Sequence, residues 1–189
     1  MTLYDTATGG IAALVDRSDG RTPVSGILIG EGDITEGLSG KRTRWPAAVL
    51  EAMVGVFDGK PITMADSSDP EQHVGVELTE DGPELTGAVS LDEKVGEITE
   101  TVYEPGVGLL YEGFVADAAA ADAVSSGLAQ VSPVVMRDIE PVEGEPDLFE
   151  VSEVFGGRDV AIVADGAVPS NDISPGSLPA TAEALSAHF

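Results

Sequence analysis

Cysteine is absent from the 189 residues, and cationic side chains are scarce. Without a thiol there is no disulfide frame, no thiolate zinc site and no cysteine nucleophile. Lys and Arg together number 9 against 34 Asp and Glu, a formal net charge of −25, and only three of the nine are lysines. So few cations leave no patch to neutralise phosphates, which excludes nucleic acid and makes an anionic membrane surface an equally poor partner. No apolar run approaches the roughly 20 residues of a membrane helix. The opening "MTLYDTATGG" lacks the charged-then-apolar pattern of a secretion signal. These absences predict a soluble protein working inside a cell.

What is present is enough apolar side chain, 42% of the chain, for a core within one domain. The acidic excess repels itself at ordinary ionic strength, and high salt screens that repulsion. The composition therefore reads as that of a salt-loving organism or one of its viruses. "TPVSGILIG" (22–30) is a strand ending in glycine. "RWPAAVLEAMVGVF" (44–57) reads as a helix entered at Pro46, with Val49, Leu50, Met53, Val54 and Phe57 at helical spacing. "KVGEITETVYE" and "VGLLYEGFV" pair as a hairpin across Pro105 and Gly106. "ADAAAADAVSSG" (116–127) is a helix with its glycine stop. With "AQVSPVVM", "LFEVSEVF" and "RDVAIVAD", the reading is about seven or eight short strands and two helices. The expected fold class is α+β, a mainly antiparallel β-barrel or folded sheet. Residues 1–21 read as an N-terminal arm, 22–166 as the domain, and 167–189, rich in proline and serine, as a tail.

Motifs for phosphate or metal are missing: there is no GxGxxG, no GxxxxGK[ST] and no HExxH. "DSSDPE" (66–71) gathers carboxylates but lacks the glycine and distant glutamate of a calcium loop, so it reads as solvated. No metal and no organic cofactor is expected. One hydroxyl stands out. Ser132 sits in the middle of the apolar run "GLAQVSPVVM" (127–136). A hydroxyl there is either bonded to backbone, the usual fate of a buried serine, or a nucleophile, which needs a base within reach and a group to orient that base. Two histidines are available, His188 near the last residue and His73 at a strand start after the acidic loop. Read alone, His73 and Ser132 are both ordinary strand residues.

Four stretches in order add to this: "GILIGEGDITEGLSGKRTRWPAAVLEAMVGVFDGKPIT", "VGEITETVYEPGVGLLYEGFVAD", "SSGLAQVSPVVM" and "RDVAIVADGAVPSNDI". Covering most of residues 24–173, they resemble the prohead proteases of tailed viruses, particularly those of haloarchaeal viruses and proviruses. The resemblance implies a fold like that of herpesvirus maturational proteases, a β-barrel flanked by helices. It implies Ser132, in the pair Val131–Ser132, as the nucleophile, and Asp159 as the orienting acid, with Glu153 as the fallback. Relatives carry the base histidine in an Asp-His pair just after the "GKP" strand. Here "GKPITMADSS" puts Asp66 at that place, and a carboxylate with an ordinary pKa near about 4 is a feeble base for a serine hydroxyl. His73 is the remaining source of an imidazole. The implied function is cleavage of the major capsid protein and scaffold precursors inside the procapsid, in the host cytoplasm. The alternative is an inactive protease fold kept as a structural or scaffold-like capsid component. A homo-oligomer of the chain is a further expected assembly.

Overall fold

β-Branched and aromatic side chains fill most of the apolar runs, and such residues favour the pleated backbone. The computed structural model describes residues 4–5, 11–12, 20–36, 40–64, 74, 76–79, 82–85, 89–127, 129–163 and 171–176. In chain order the elements are β1 (Tyr4–Asp5), β2 (Ile11–Ala12), β3 (Thr22–Gly30), β4 (Ile34–Glu36), β5 (Arg42–Arg44), helix α1 (Ala47–Ala52) and β6 (Pro61–Met64). Then come β7 (Val76–Thr79), β8 (Gly82–Leu85), β9 (Lys94–Glu104), β10 (Gly108–Val115), helix α2 (Ala118–Ser125), β11 (Gln130–Val142), β12 (Glu145–Val163) and β13 (Ser174–Pro175). β1 pairs with β2 and β7 with β8, each as a separate ribbon. No helix among the described residues is long and apolar enough to cross a membrane.

The other nine strands form one sheet in the order β13-β3-β10-β9-β6-β12-β5-β4, with β11 also paired to β12. Pairing is antiparallel except where β12 meets β5 and β6. The sheet curls into a half-barrel, so the class is mainly β with few helices. The expected hairpin forms between β9 and β10, turning through Gly106 at φ 80°. β3 and β10 read as nearly continuous apolar runs because they are covered on both faces. Val24, Leu28, Ile29 and Leu109 join the main core, while Ile27 and Leu110 form a second cluster.

Trp45, Leu50, Met53 and Phe57, from α1 and its flanks, fill the main core against Ile62, Ile98, Val151 and Val160. α2 begins where Asp117 Oδ1 accepts from Ala120 N–H at 2.9 Å, which satisfies an orphan donor of its first turn. It buries Ala120, Ala121 and Val124. β3 and β11, at the two sides of the curl, approach each other. Residues 171–176, in the stretch read as a tail, run between them along β3.

Candidate functional site

Ser132 on β11 stands directly opposite Ala161 on β12, and Thr63 on β6 stands opposite the same alanine from the other side. Residues opposed across a ladder share a face, so the three make one row across three strands. Asp159, two residues before Ala161, lies on that face as well. Thr63 Oγ1 donates to Asp159 Oδ2 at 3.2 Å. The alternate residues Val131, Val160, Ile162 and Ile62 belong to the hydrophobic core.

Asp159 and Thr63 are completely buried, and Ser132 is partly exposed. A carboxylate away from water is costly unless it is hydrogen-bonded and balanced by opposite charge. Thr63 supplies the hydrogen bond. Arg158 Nε lies 3.8 Å from Asp159 Oδ1, with its own side chain only 11% exposed. At the centre of the row stands the small methyl group of Ala161. The arrangement sets a part-exposed hydroxyl on the same sheet face as a buried carboxyl group.

Of the residues singled out in the sequence, Ser132 and Asp159 come together in this way. His73 and Asp66 lie outside the described residues. Glu153 is exposed on β12 opposite Asp138, well up the strand from Ser132, and takes no part in the row. Two residues escaped sequence reasoning. Thr63 in "PITM" carries no signal, since a β-branched residue is what any strand favours. Asn171 in "PSNDI" reads as a turn residue, yet it is buried and its Nδ2 donates to the carbonyl oxygen of Val131. Among the described residues no group of three or more His, Asp or Glu side chains is gathered that could hold a metal ion.

No protein-family model matches the chain, and no curated protein matches it in sequence.

Proposed function

We propose that the chain is a viral prohead serine protease, trimming capsid and scaffold precursors within the procapsid. The observation that carries this reading is the sheet face that Ser132 shares with the buried, hydrogen-bonded Asp159. The four ordered stretches that resemble prohead proteases support it, and the mainly β, curled sheet is compatible with the herpesvirus-protease-like fold. In this mechanism Ser132 Oγ attacks the scissile carbonyl carbon while His73 takes its proton. His73 then gives that proton to the leaving amine nitrogen as the C–N bond breaks. Water hydrolyses the resulting ester and restores the serine. Asp159 orients the imidazole and stabilises its charged form. No cofactor is required.

A second reading rests on one feature, Asp66 where relatives carry the base. Loss of the histidine from such a triad costs on the order of a millionfold in rate. A chain without that base would remain in the capsid as a structural component on a protease fold.

Co-expression with the matching capsid precursor in high salt, wild type beside Ser132→Ala, tests both by intact mass. Trimming by the wild type alone supports the serine protease. Precursor left whole but bound by both proteins supports the structural role. Trimming by both removes Ser132 from the chemistry.

A further inference from the structure

Residues 171–176 form a strap across the seam of the half-barrel, and one end of it meets the serine strand. On the β3 side Asp172 N–H donates to Ile27 O at 3.0 Å and Gly176 N–H to Pro23 O at 2.8 Å. The Tyr111 hydroxyl donates to Asp172 O at 3.1 Å, and Ile173 is buried in the core. The strap lies so close that a Cβ on Gly26 would stand 2.1 Å from Asp172 O. On the β11 side Asn171 Nδ2 donates to the carbonyl of Val131, the residue before Ser132.

Asn171 uses its amide unevenly. The residue is only 4% exposed, and its Oδ1 is buried with no hydrogen-bond partner among the described residues. A seam that needed only to be closed would be better filled by an apolar side chain of similar size, which leaves no amide oxygen bare. What asparagine adds is a directional bond to one peptide group. That group is planar and contains both the Val131 carbonyl and the Ser132 nitrogen. Holding its carbonyl therefore fixes the plane from which the Ser132 side chain projects.

We propose that Asn171 is a positioning residue: through the strap, its amide anchors the Val131–Ser132 peptide plane to β3 and so sets where the Ser132 hydroxyl stands in the polar row. This rests on the reading of Ser132 as the reactive group. The absence of cysteine provides a probe that does not depend on proteolysis. Ser132→Cys introduces the chain's sole thiol, and its alkylation by iodoacetamide, followed over a range of pH, reports the placement of that side chain.

The full-length chain carrying Ser132→Cys is compared in high salt with the same chain carrying Asn171→Leu or Asn171→Ala. Tyr111→Phe serves as the control that loosens the strap from its β3 side. Either replacement of Asn171 changes the alkylation rate by at least about tenfold, while Tyr111→Phe changes it by less than about twofold. Asn171→Leu still melts cooperatively, within a few degrees of its parent. Alkylation indifferent to residue 171, an equal response to Tyr111→Phe, or loss of the fold in both Asn171 variants would each overturn the proposal in favour of simple closure of the seam. The protease reading fails separately. A thiol that responds to residue 171 in a chain whose wild type leaves the precursor whole keeps the positioning role and removes the protease. Precursor cleavage by the wild type with an indifferent thiol does the reverse.

Discussion

Thr63 and Asp159 hold each other across the parallel ladder between β6 and β12, hydroxyl to carboxylate at 3.2 Å, both wholly buried. Neither strand would bring the two together alone; the register that sets Thr63 opposite Ala161 does so. Thr63→Val keeps the shape and removes the donor, leaving a buried carboxylate with one bond fewer. The expected loss is about 1–3 kcal/mol, against less than about 1 kcal/mol for Thr63→Ser, which keeps the hydroxyl. Urea unfolding of both variants in high salt measures the difference, and equal losses would mean that the methyl group, not the bond, matters.

Gly26 and Gly106 should respond very differently to alanine. At Gly106 the φ of 80° is what L-residues avoid, and a Cβ would meet nothing within 4 Å. Its replacement costs about 1 kcal/mol. At Gly26 a Cβ would collide with Asp172 O, so the strap must lift or the strand must bend. The cost there is about 3 kcal/mol or more. Unfolding midpoints that rank the two the other way would mean that the strap yields freely.

The turn between β3 and β4 is tied to the β9–β10 turn by Glu31. Its Oε2 accepts from the Tyr103 hydroxyl at 2.6 Å and from Gly106 N–H at 2.8 Å. The Tyr103 bond first, then the Gly106 bond, holds the Glu31 carboxyl below its usual range. The same contact pushes Tyr103 up to about 12. For Glu31, with a depressed folded pKa, the stabilisation is present above the unfolded value and is lost as pH falls through the folded one. For Tyr103, with a raised pKa, it is present below an ordinary tyrosine value of about 10 and is lost as pH climbs towards the folded one. The melting difference between wild type and Tyr103→Phe is therefore constant from about pH 6 to 9 and shrinks on both flanks. Glu31 is exposed and Tyr103 only partly buried, so the difference is small, and a gap that widens in acid would contradict the assignment.

Elements built from neighbouring residues were legible in the sequence; those that depend on distant ones were not. The β9–β10 hairpin follows from its Pro-Gly turn, and α2 from its Asp117 start and Gly127 stop. The helix expected over 44–57 is shorter, since α1 ends at Ala52. Gly55 takes φ 81°, and its N–H donates to Thr101 Oγ1 at 2.8 Å. Val54, placed on the apolar face by spacing, is 48% exposed as a result. The polar row was hidden for a different reason. Period-2 alternation puts Ser132 and Asp159 each on some face, but the match between strands passes a register shift between Pro133 and Val135 that no local pattern announces. The strap was hidden because its order depends on a glycine far back in β3.

Trp45, the sole tryptophan, reports on the end of the sheet near β5. Its Nε1 donates to Thr35 Oγ1 at 3.2 Å, and the Arg137 guanidinium lies 5.0 Å from the ring centroid while Nη2 donates to Thr43 Oγ1 at 3.3 Å. Burial lowers the Arg137 pKa, yet an arginine stays charged. Arg137→Met keeps the apolar cover and loses the cation, at a cost of about 1 kcal/mol with little change in emission. Arg137→Ala uncovers the ring and shifts its fluorescence to the red. Identical spectra for the two variants would show that Arg137 does not shield the indole.

Gly157 opens the stretch of β12 that leads to Asp159, and it faces Phe57. A Cβ there would lie 2.6, 2.7 and 2.8 Å from the ring atoms Cε1, Cζ and Cδ1. The ring is wholly buried and cannot swing into solvent. Gly157→Ala alone therefore overpacks the core, at about 1–3 kcal/mol. Phe57→Leu alone leaves a void, with a cost of similar size. Together the new methyl group occupies space the ring gave up, so the double variant is more stable than the sum of the two losses by about 1 kcal/mol or more. Strict additivity in urea unfolding would place the constraint elsewhere, in the bulge between Pro133 and Val135. Gly157 would then be required by the backbone that sets Asp159 on the face of Ser132, and no change at Phe57 could relieve it.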